Sequence, residues 1–237
     1  RKLEVEGKTN LVDKVIFIAV PHIGTPKGIM ALLHGYDQGH ALGLVSTDKG
    51  VRKVMKNMPG VYGLLPSEKY MSSLMESLIS FDNSPITENY RNAYGFTVTG
   101  MDEYTRFLKG IEGRTYADDR VNEASTANST MLDTALQRHK TELDNWEAPD
   151  GVEVFNIVGT GLPTPNSIEY KSFEDIVCAG STCRQIKKIE PVIHFTNYGD
   201  QTVVSKSASS NPNKNLFVDL SAVEGYEHAD ITEAEEI

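Results

Sequence analysis

The chain has 237 residues, of which 39% are hydrophobic and 24% charged, as is typical of a globular protein with a substantial core. Its formal net charge of −10 argues against a general nucleic-acid binder, because a polyanion would be repelled. No run approaches the roughly 18 apolar residues of a membrane-spanning helix, and no signal-peptide pattern occurs. The chain begins with Arg1 rather than methionine, so we expect processing or truncation.

The stretch from Leu11 to Val20 is the strongest strand candidate in the sequence. From Val15 onward it is continuously apolar and rich in β-branched residues, a pattern typical of a parallel strand buried on both faces. A proline-flanked turn follows, in which Thr25 is placed to cap a helix that begins at Pro26 and ends at Gly35. A strand, a tight turn and a helix indicate an α/β unit.

The middle of the chain favours helices. Residues 48–80 read as mostly helical, with breaks at 57–60 and 65–66, and residues 82–118 show weak periodicity. Residues 119–146 carry apolar side chains near helical spacing and predict one long helix. The methionines and leucines between residues 55 and 78 favour ordinary core packing, and the alternative is a mobile lipid-facing lid.

Strand patterns return after residue 150. Val152–Val158 is a second buried-strand candidate, and residues 169–177 and 184–195 predict a hairpin. Cys178 and Cys183 would lie at its tip, either as a small-loop disulfide or as two free thiols. We expect no zinc site, because no cysteine or histidine nearby has matching spacing.

The apolar run Val192–Thr196 leads into a turn that carries one acid, Asp200. A further strand candidate, Leu216–Leu220, is followed by His228. An acid after one strand and a histidine after the next is the last part of an α/β-hydrolase triad, whose chain order is serine, acid, histidine. No nucleophile elbow precedes them in this sequence.

Strand candidates therefore cluster at both ends of the chain, with a helical block between them. We predict an α/β fold: the C-terminal part of an α/β-hydrolase, with a parallel-sheet core formed by residues 1–34 and 149–237. Residues 35–148 would be a mostly helical cap or lid inserted into that core. The alternative is two separate domains.

Four segments resemble, in the same order, signature segments of the lecithin:cholesterol acyltransferase-like lipases and acyltransferases. The first resembles the strand and T-P-H-x-G-T-P turn after the nucleophile elbow, with Val20 where threonine often stands. The last matches G-D-G-T-V, with Gln201 in place of the second glycine. The four segments are Val12–Pro26, Met58–Pro66, Val152–Pro165 and Gly199–Val203.

This resemblance implies a serine-type lipid esterase or O-acyltransferase that works through an acyl-serine intermediate. By carry-over Asp200 matches the triad acid, and His228 matches the triad base by position. The resemblance implies a lipid or acyl-ester substrate, allows contact with a membrane surface and implies no metal or organic cofactor. The compartment is unknown, with an extracytoplasmic or vacuolar/lysosomal one slightly favoured.

The family's G-x-S-x-G nucleophile would lie before Leu11, where only ten residues exist, so the chain resembles the C-terminal portion of such an enzyme. We expect the missing N-terminal half to be its partner, and without it Val15–Val20 should expose an apolar edge. Gly35–Gly39 fits G-x-D-x-G, but we interpret it as a loop. Ser181, in the predicted hairpin tip, is a poor nucleophile.

Other candidate residues favour structural roles. We interpret His194 as structural, and His22 as packed at a strand end rather than lining an acyl pocket. Gly159–Gly161 follows a strand, but the prolines after it prevent the helix that a nucleotide loop must open. The rival functional hypothesis is a non-catalytic chain that retains the hydrolase scaffold to bind lipid or protein.

Overall fold

The computed structural model describes residues 2–37, 48–112, 114, 122–179, 182–211, 214–222 and 225–233. Helical and extended segments alternate along the chain. The helices are α1 (Lys2–Val5), α2 (Pro26–His34), α3 (Asp48–Met55), α4 (Pro59–Tyr62), α5 (Glu68–Ser72), α6 (Glu88–Tyr94), α7 (Met101–Lys109), α8 (Ser129–Arg138) and α9 (Ser205–Ala208). Short 3-10 helices are Thr9–Leu11, Pro85–Thr87, Leu220–Ala222 and His228–Glu233, and His139–Leu143 is a π-helix.

The strands of the described residues form two sheets. The first is parallel and has the order β1-β4-β7, and the second has the order β3-β2-β5-β6. The predicted α/β fold is therefore confirmed. The strands are β1 (Lys14–Ile18), β2 (Ile79–Phe81), β3 (Thr97–Val98), β4 (Glu153–Thr160), β5 (Thr164–Ala179), β6 (Thr182–Thr196) and β7 (Lys214–Asp219).

The first predicted strand forms, but it is not buried on both faces as its composition suggested. β1 pairs with β4 alone among the described strands, so its other edge has no strand beside it. Ile16 is 58% exposed, and Ile18, Leu216 and Phe217 are also exposed. The expected exposed apolar edge is therefore confirmed. Among the described residues, no second strand pairs with β1, and its exposed apolar side chains have no covering layer.

The predicted hairpin is confirmed and is longer than expected. β5 and β6 pair antiparallel from Thr164 opposite Thr196 to Ala179 opposite Thr182. Of the two states left open for the cysteines, the structure has the Cys178–Cys183 disulfide at the end of the hairpin. Ser181 lies outside the described residues.

The predicted long helix over residues 119–146 is wrong in its extent. Residues 119–121 lie outside the described part, and the helix begins only at Ser129, where the side chain of Asn128 accepts a hydrogen bond from the amide of Met131. The amide of Ser125 instead donates to the carbonyl of Leu33 at the end of α2. Tertiary hydrogen bonds to another helix end thus outweigh the local helical pattern.

The hydrophobic core takes part of the methionine- and leucine-rich segment but not all of it. Met55, Leu65, Met71 and Leu78 are buried in a cluster that also contains residues of α2, α7 and β5. Met75, by contrast, is fully exposed. Met58 and Leu64 are exposed as well, so core packing accounts for about half of these side chains.

The hairpin links the two regions that were assigned to core and cap. Its strand β5 pairs in parallel with β2, which belongs to the proposed cap, through Ile79 opposite Ile168. The division into residues 1–34 with 149–237 and residues 35–148 stays a prediction.

Candidate active site

Asp200 lies at the carboxyl end of the parallel sheet, in the turn that follows the hairpin. Along the chain it follows β6, as expected, but β6 belongs to the second sheet. Its structural support is instead the end of β4, because Leu162 forms a parallel bridge with Asp200. The hairpin is thus inserted in the chain between β4 and Asp200. The order of strand patterns in the sequence could not show this.

The carboxylate of Asp200 is held on both oxygens. Oδ1 accepts hydrogen bonds from the backbone amides of Thr202 at 3.1 Å and Val203 at 2.7 Å. Oδ2 lies 2.9 Å from Nδ1 of His228. The Asp200 side chain is only 1% exposed, so these bonds replace the water that a buried carboxylate loses.

His228 opens the 3-10 helix His228–Glu233, and this helix is anchored by Ile231, which packs in a cluster with Ala19 and Leu220. The imidazole is 36% exposed. No hydrogen bond from Nε2 to any described residue is present. Since Asp200 accepts from Nδ1, Nε2 is the nitrogen of the neutral ring that can accept a proton. The structure therefore brings together the two residues that the sequence singled out.

The backbone around Asp200 demands small or unusual residues. A side-chain carbon on Gly159 would lie 2.7 Å from Cβ of Asp200, and one on Gly199 would lie 2.4 Å from Oγ1 of Thr164. Gln201 has φ of 75°, a left-handed conformation that favours glycine. This explains why glycine suits the position that Gln201 occupies in the G-D-G-T-V pattern.

The family model for lecithin:cholesterol acyltransferase matches residues 2–232. The chain belongs to the lecithin:cholesterol acyltransferase family. One chain of the crystal structure of the Tle4–Tli4 complex has the same fold, with a TM-score of 0.54 at 15% sequence identity. The match covers 98% of this chain and 55% of that chain, so this chain spans about half the length of its structural relative. Curated proteins give no significant match.

Within this member of the lecithin:cholesterol acyltransferase family, the first and third family-like segments contact the Asp200 turn, and the second packs against the first. Gly24 has φ of 88°, and a side-chain carbon there would lie 2.2 Å from the carbonyl oxygen of Leu65. The amide of Thr25 donates to the carbonyl of Leu64 at 2.8 Å. The close approach of the first and second segments therefore restricts the backbone conformation of both.

The first segment also holds the fourth. Helix α2 has its predicted bounds, but the Thr25 hydroxyl makes no capping bond and donates instead to the carbonyl of Thr202 at 2.8 Å. Nζ of Lys27 donates to the carbonyl of Gln201 and to Oγ1 of Thr202, each at 3.3 Å. The start of α2 thus fixes the turn that carries Asp200.

His22 lies apart from this pair, in a polar network beside β4. Its Nε2 is 3.1 Å from Oδ1 of Asn156, and its Nδ1 is 3.2 Å from Nδ2 of Asn211. Burial lowers the pKa of His22 and favours the neutral ring. The ring also lines a cavity of about 370 Å³ that Phe17 and Trp146 share, so His22 both packs and borders a pocket.

His194 is an exposed hairpin residue whose Nε2 lies 3.0 Å from Oε2 of Glu169 on the facing strand. This cross-strand contact agrees with the structural interpretation. Of the G-x-D-x-G segment, Gly35 ends α2 in a left-handed conformation and Asp37 pairs with Lys27 at 2.6 Å, whereas Gln38 and Gly39 lie outside the described residues. The described part is a helix end, as expected of a loop.

A second histidine–aspartate pair escaped the sequence analysis. Nδ1 of His139 lies 3.0 Å from Oδ1 of Asp144, and Nε2 lies 3.0 Å from the carbonyl oxygen of Gly63. Burial lowers the pKa of His139, but hydrogen bonds to Asp144 and Gly63 outweigh burial and raise it above 6.5. The only sequence signal was a histidine five residues before an acid near a helix end.

Among the residues that the structure describes, no cluster of three His, Cys, Asp or Glu side chains has the arrangement to hold a metal ion. The helices of this part of the chain are too short or too polar to cross a bilayer.

Proposed function

We propose that the complete protein is a serine-type lipid esterase or O-acyltransferase in which His228 is the base and Asp200 its partner. The observation that carries the proposal is the 2.9 Å contact between Nδ1 of His228 and a buried carboxylate, with Nε2 left to act on a substrate or nucleophile. Family membership supports a lipid ester as the substrate class.

In this proposal the nucleophilic serine lies upstream of this chain. Its strand would pair with the open edge of β1, where Ile16 and Ile18 are exposed. That this chain spans only about half of its structural relative supports an upstream half. His228 would take the serine proton during attack and return it to the leaving alcohol, and Asp200 would stabilise the imidazolium.

We also propose an extracytoplasmic or vacuolar/lysosomal site of action and contact with the surface of the membrane that holds the substrate. The Cys178–Cys183 disulfide supports an oxidising compartment, because such bonds are rare where thiols are kept reduced.

The test is ester turnover by three proteins: the full-length protein, its His228→Ala variant and the 237-residue chain. We expect turnover by the full-length protein, a loss of at least about ten-thousandfold in His228→Ala, and none from the chain alone, because no described serine is hydrogen-bonded to His228. A folded His228→Ala variant with parental turnover would remove that histidine from the site. An inactive full-length protein that still binds lipid vesicles would favour the non-catalytic alternative.

A further inference from the structure

Thr164 connects the end of the core strand β4 to the turn that carries Asp200. The residue is fully buried at the start of β5. Its Oγ1 donates to the carbonyl of Leu162 at 2.9 Å and accepts from the amide of Gln201 at 2.8 Å. The single hydroxyl thus uses its donor and one acceptor position, each on a backbone group.

The amide that Thr164 binds belongs to the peptide joining Asp200 to Gln201. Gln201 is the residue in the left-handed conformation, which is strained for any residue other than glycine. The next two amides, of Thr202 and Val203, bind Oδ1 of Asp200. The Thr164 hydroxyl therefore holds the strained peptide between Asp200 and Gln201. The two amides that donate to the Asp200 carboxylate come directly after this peptide in the chain.

The other side of the turn is held from α2. The Thr25 hydroxyl and the Lys27 ammonium bind the carbonyls of Thr202 and Gln201. Thr25 and Lys27 bind backbone carbonyls of the turn, whereas Thr164 binds a backbone amide of the turn. Its methyl and hydroxyl also lie against the Cα of Gly199, where no side chain fits.

We propose that Thr164 is a positioning residue for the Asp200–His228 pair. Without its hydroxyl, the Gln201 amide loses its acceptor in a buried site, and the left-handed residue is free to relax. Relaxation would turn the peptide after Asp200 and shift Oδ2 from its 2.9 Å contact with His228. This inference rests on the proposed function, because it deepens the role of the same pair.

The test compares Thr164→Val, which keeps the shape and loses the hydroxyl, with Thr164→Ser, which keeps the hydroxyl and loses the methyl. In the full-length protein we expect Thr164→Val to lower kcat by about tenfold to a hundredfold, with KM changed less than about threefold. Thr164→Ser should retain kcat within about threefold, because its hydroxyl can still bind the Gln201 amide. Thr164→Ala replaces the valine variant if the latter does not fold.

A second readout follows the hydrogen bond itself. The low-field proton NMR signal of His228 Nδ1–H, assigned by its loss in His228→Ala, should be present in Thr164→Ser and weakened or absent in Thr164→Val. Suppose that Asp200→Asn is inactive. Parental kcat in folded Thr164→Val, or equal losses of kcat in the serine and valine variants, would then overturn the positioning role. If Asp200→Asn is itself active, the proposed function fails instead.

Discussion

Two histidine–aspartate pairs occur among the residues that the structure describes, and they differ in which ring nitrogens remain available for proton transfer. In the His228–Asp200 pair, Nδ1 is the ring nitrogen that binds a described residue, and the ring is partly exposed. In the His139–Asp144 pair both ring nitrogens are bound, and the histidine side chain is 2% exposed. One ring can exchange a proton with a substrate, and the other cannot do so without breaking a structural bond.

The difference lies in the partners of Nε2 rather than in the acid. The acceptors beside His139 are a carboxylate and a carbonyl, neither of which can donate, so both ring nitrogens must carry protons for both bonds to form. His139 is therefore a charged clamp between the π-helix and Gly63. A short histidine–carboxylate distance alone does not mark a catalytic pair.

The sharpest way to break the comparison is to neutralise each acid in the full-length protein. Asp200→Asn should cut turnover by about ten-thousandfold, because an asparagine cannot stabilise the imidazolium and favours the wrong tautomer. Asp144→Asn should change kcat by less than about tenfold, because Asp144 acts on stability alone. Steady-state ester hydrolysis by proteins shown to be folded by circular dichroism gives the comparison. Similar losses in the two variants would mean that the pairs are not functionally distinct.

The second test concerns the contribution of the charged His139 to stability. His139→Leu leaves the buried Asp144 carboxylate without its cation and should lower the unfolding free energy by about 3 kcal/mol, measured by urea denaturation. Because the pKa of His139 is raised in the folded state, its contribution should be complete below pH 6.5 and be lost as pH rises from there through the folded pKa.

Neighbouring basic residues also act on the His139–Asp144 pair. Arg138 opposes the charge of His139, and Lys69 donates to the carbonyl of Asp144 from α5. Above pH 6.5, loss of the His139 charge should destabilise this region. Amide hydrogen exchange of residues 139–144 in the parent should therefore accelerate by more than the intrinsic increase of the exchange rate with pH. His139→Gln, which is uncharged, should lack this extra pH dependence. The same extra dependence in both proteins would assign it to another group.

The smallest expected effect concerns the backbone beneath the Asp200–His228 pair. Gln201→Gly should raise the unfolding free energy by about 0.5 kcal/mol, since relief of the left-handed strain slightly exceeds glycine's entropic cost. Turnover should stay within about twofold of the parent. Gln201→Val is the matched control and should be destabilised, because a β-branched residue is strained at this φ. A less stable glycine variant would show that the glutamine side chain itself stabilises the turn.

Local patterns in the sequence predicted the elements that are defined by short-range physics. Helix α2 has its expected bounds because Pro26 and Gly35 act on their own backbone, and the hairpin follows from two facing strand patterns. The start of α8 was missed because distant carbonyls, such as that of Leu33, take the amides of the preceding residues. Periodicity within one segment contains no information on such partners.

For the site, motif order singled out Asp200 and His228, because an acid after one strand and a histidine after the next follow the chain order of a hydrolase triad. Only the tertiary structure showed that the acid rests on the end of β4 across a long hairpin, and that Thr164 supports its turn. It alone separated His228 from His139, since the free or bound state of Nε2 depends on Gly63, which is remote in the chain. Residue type decides which bonds a side chain can make, and folding decides which remain open for chemistry.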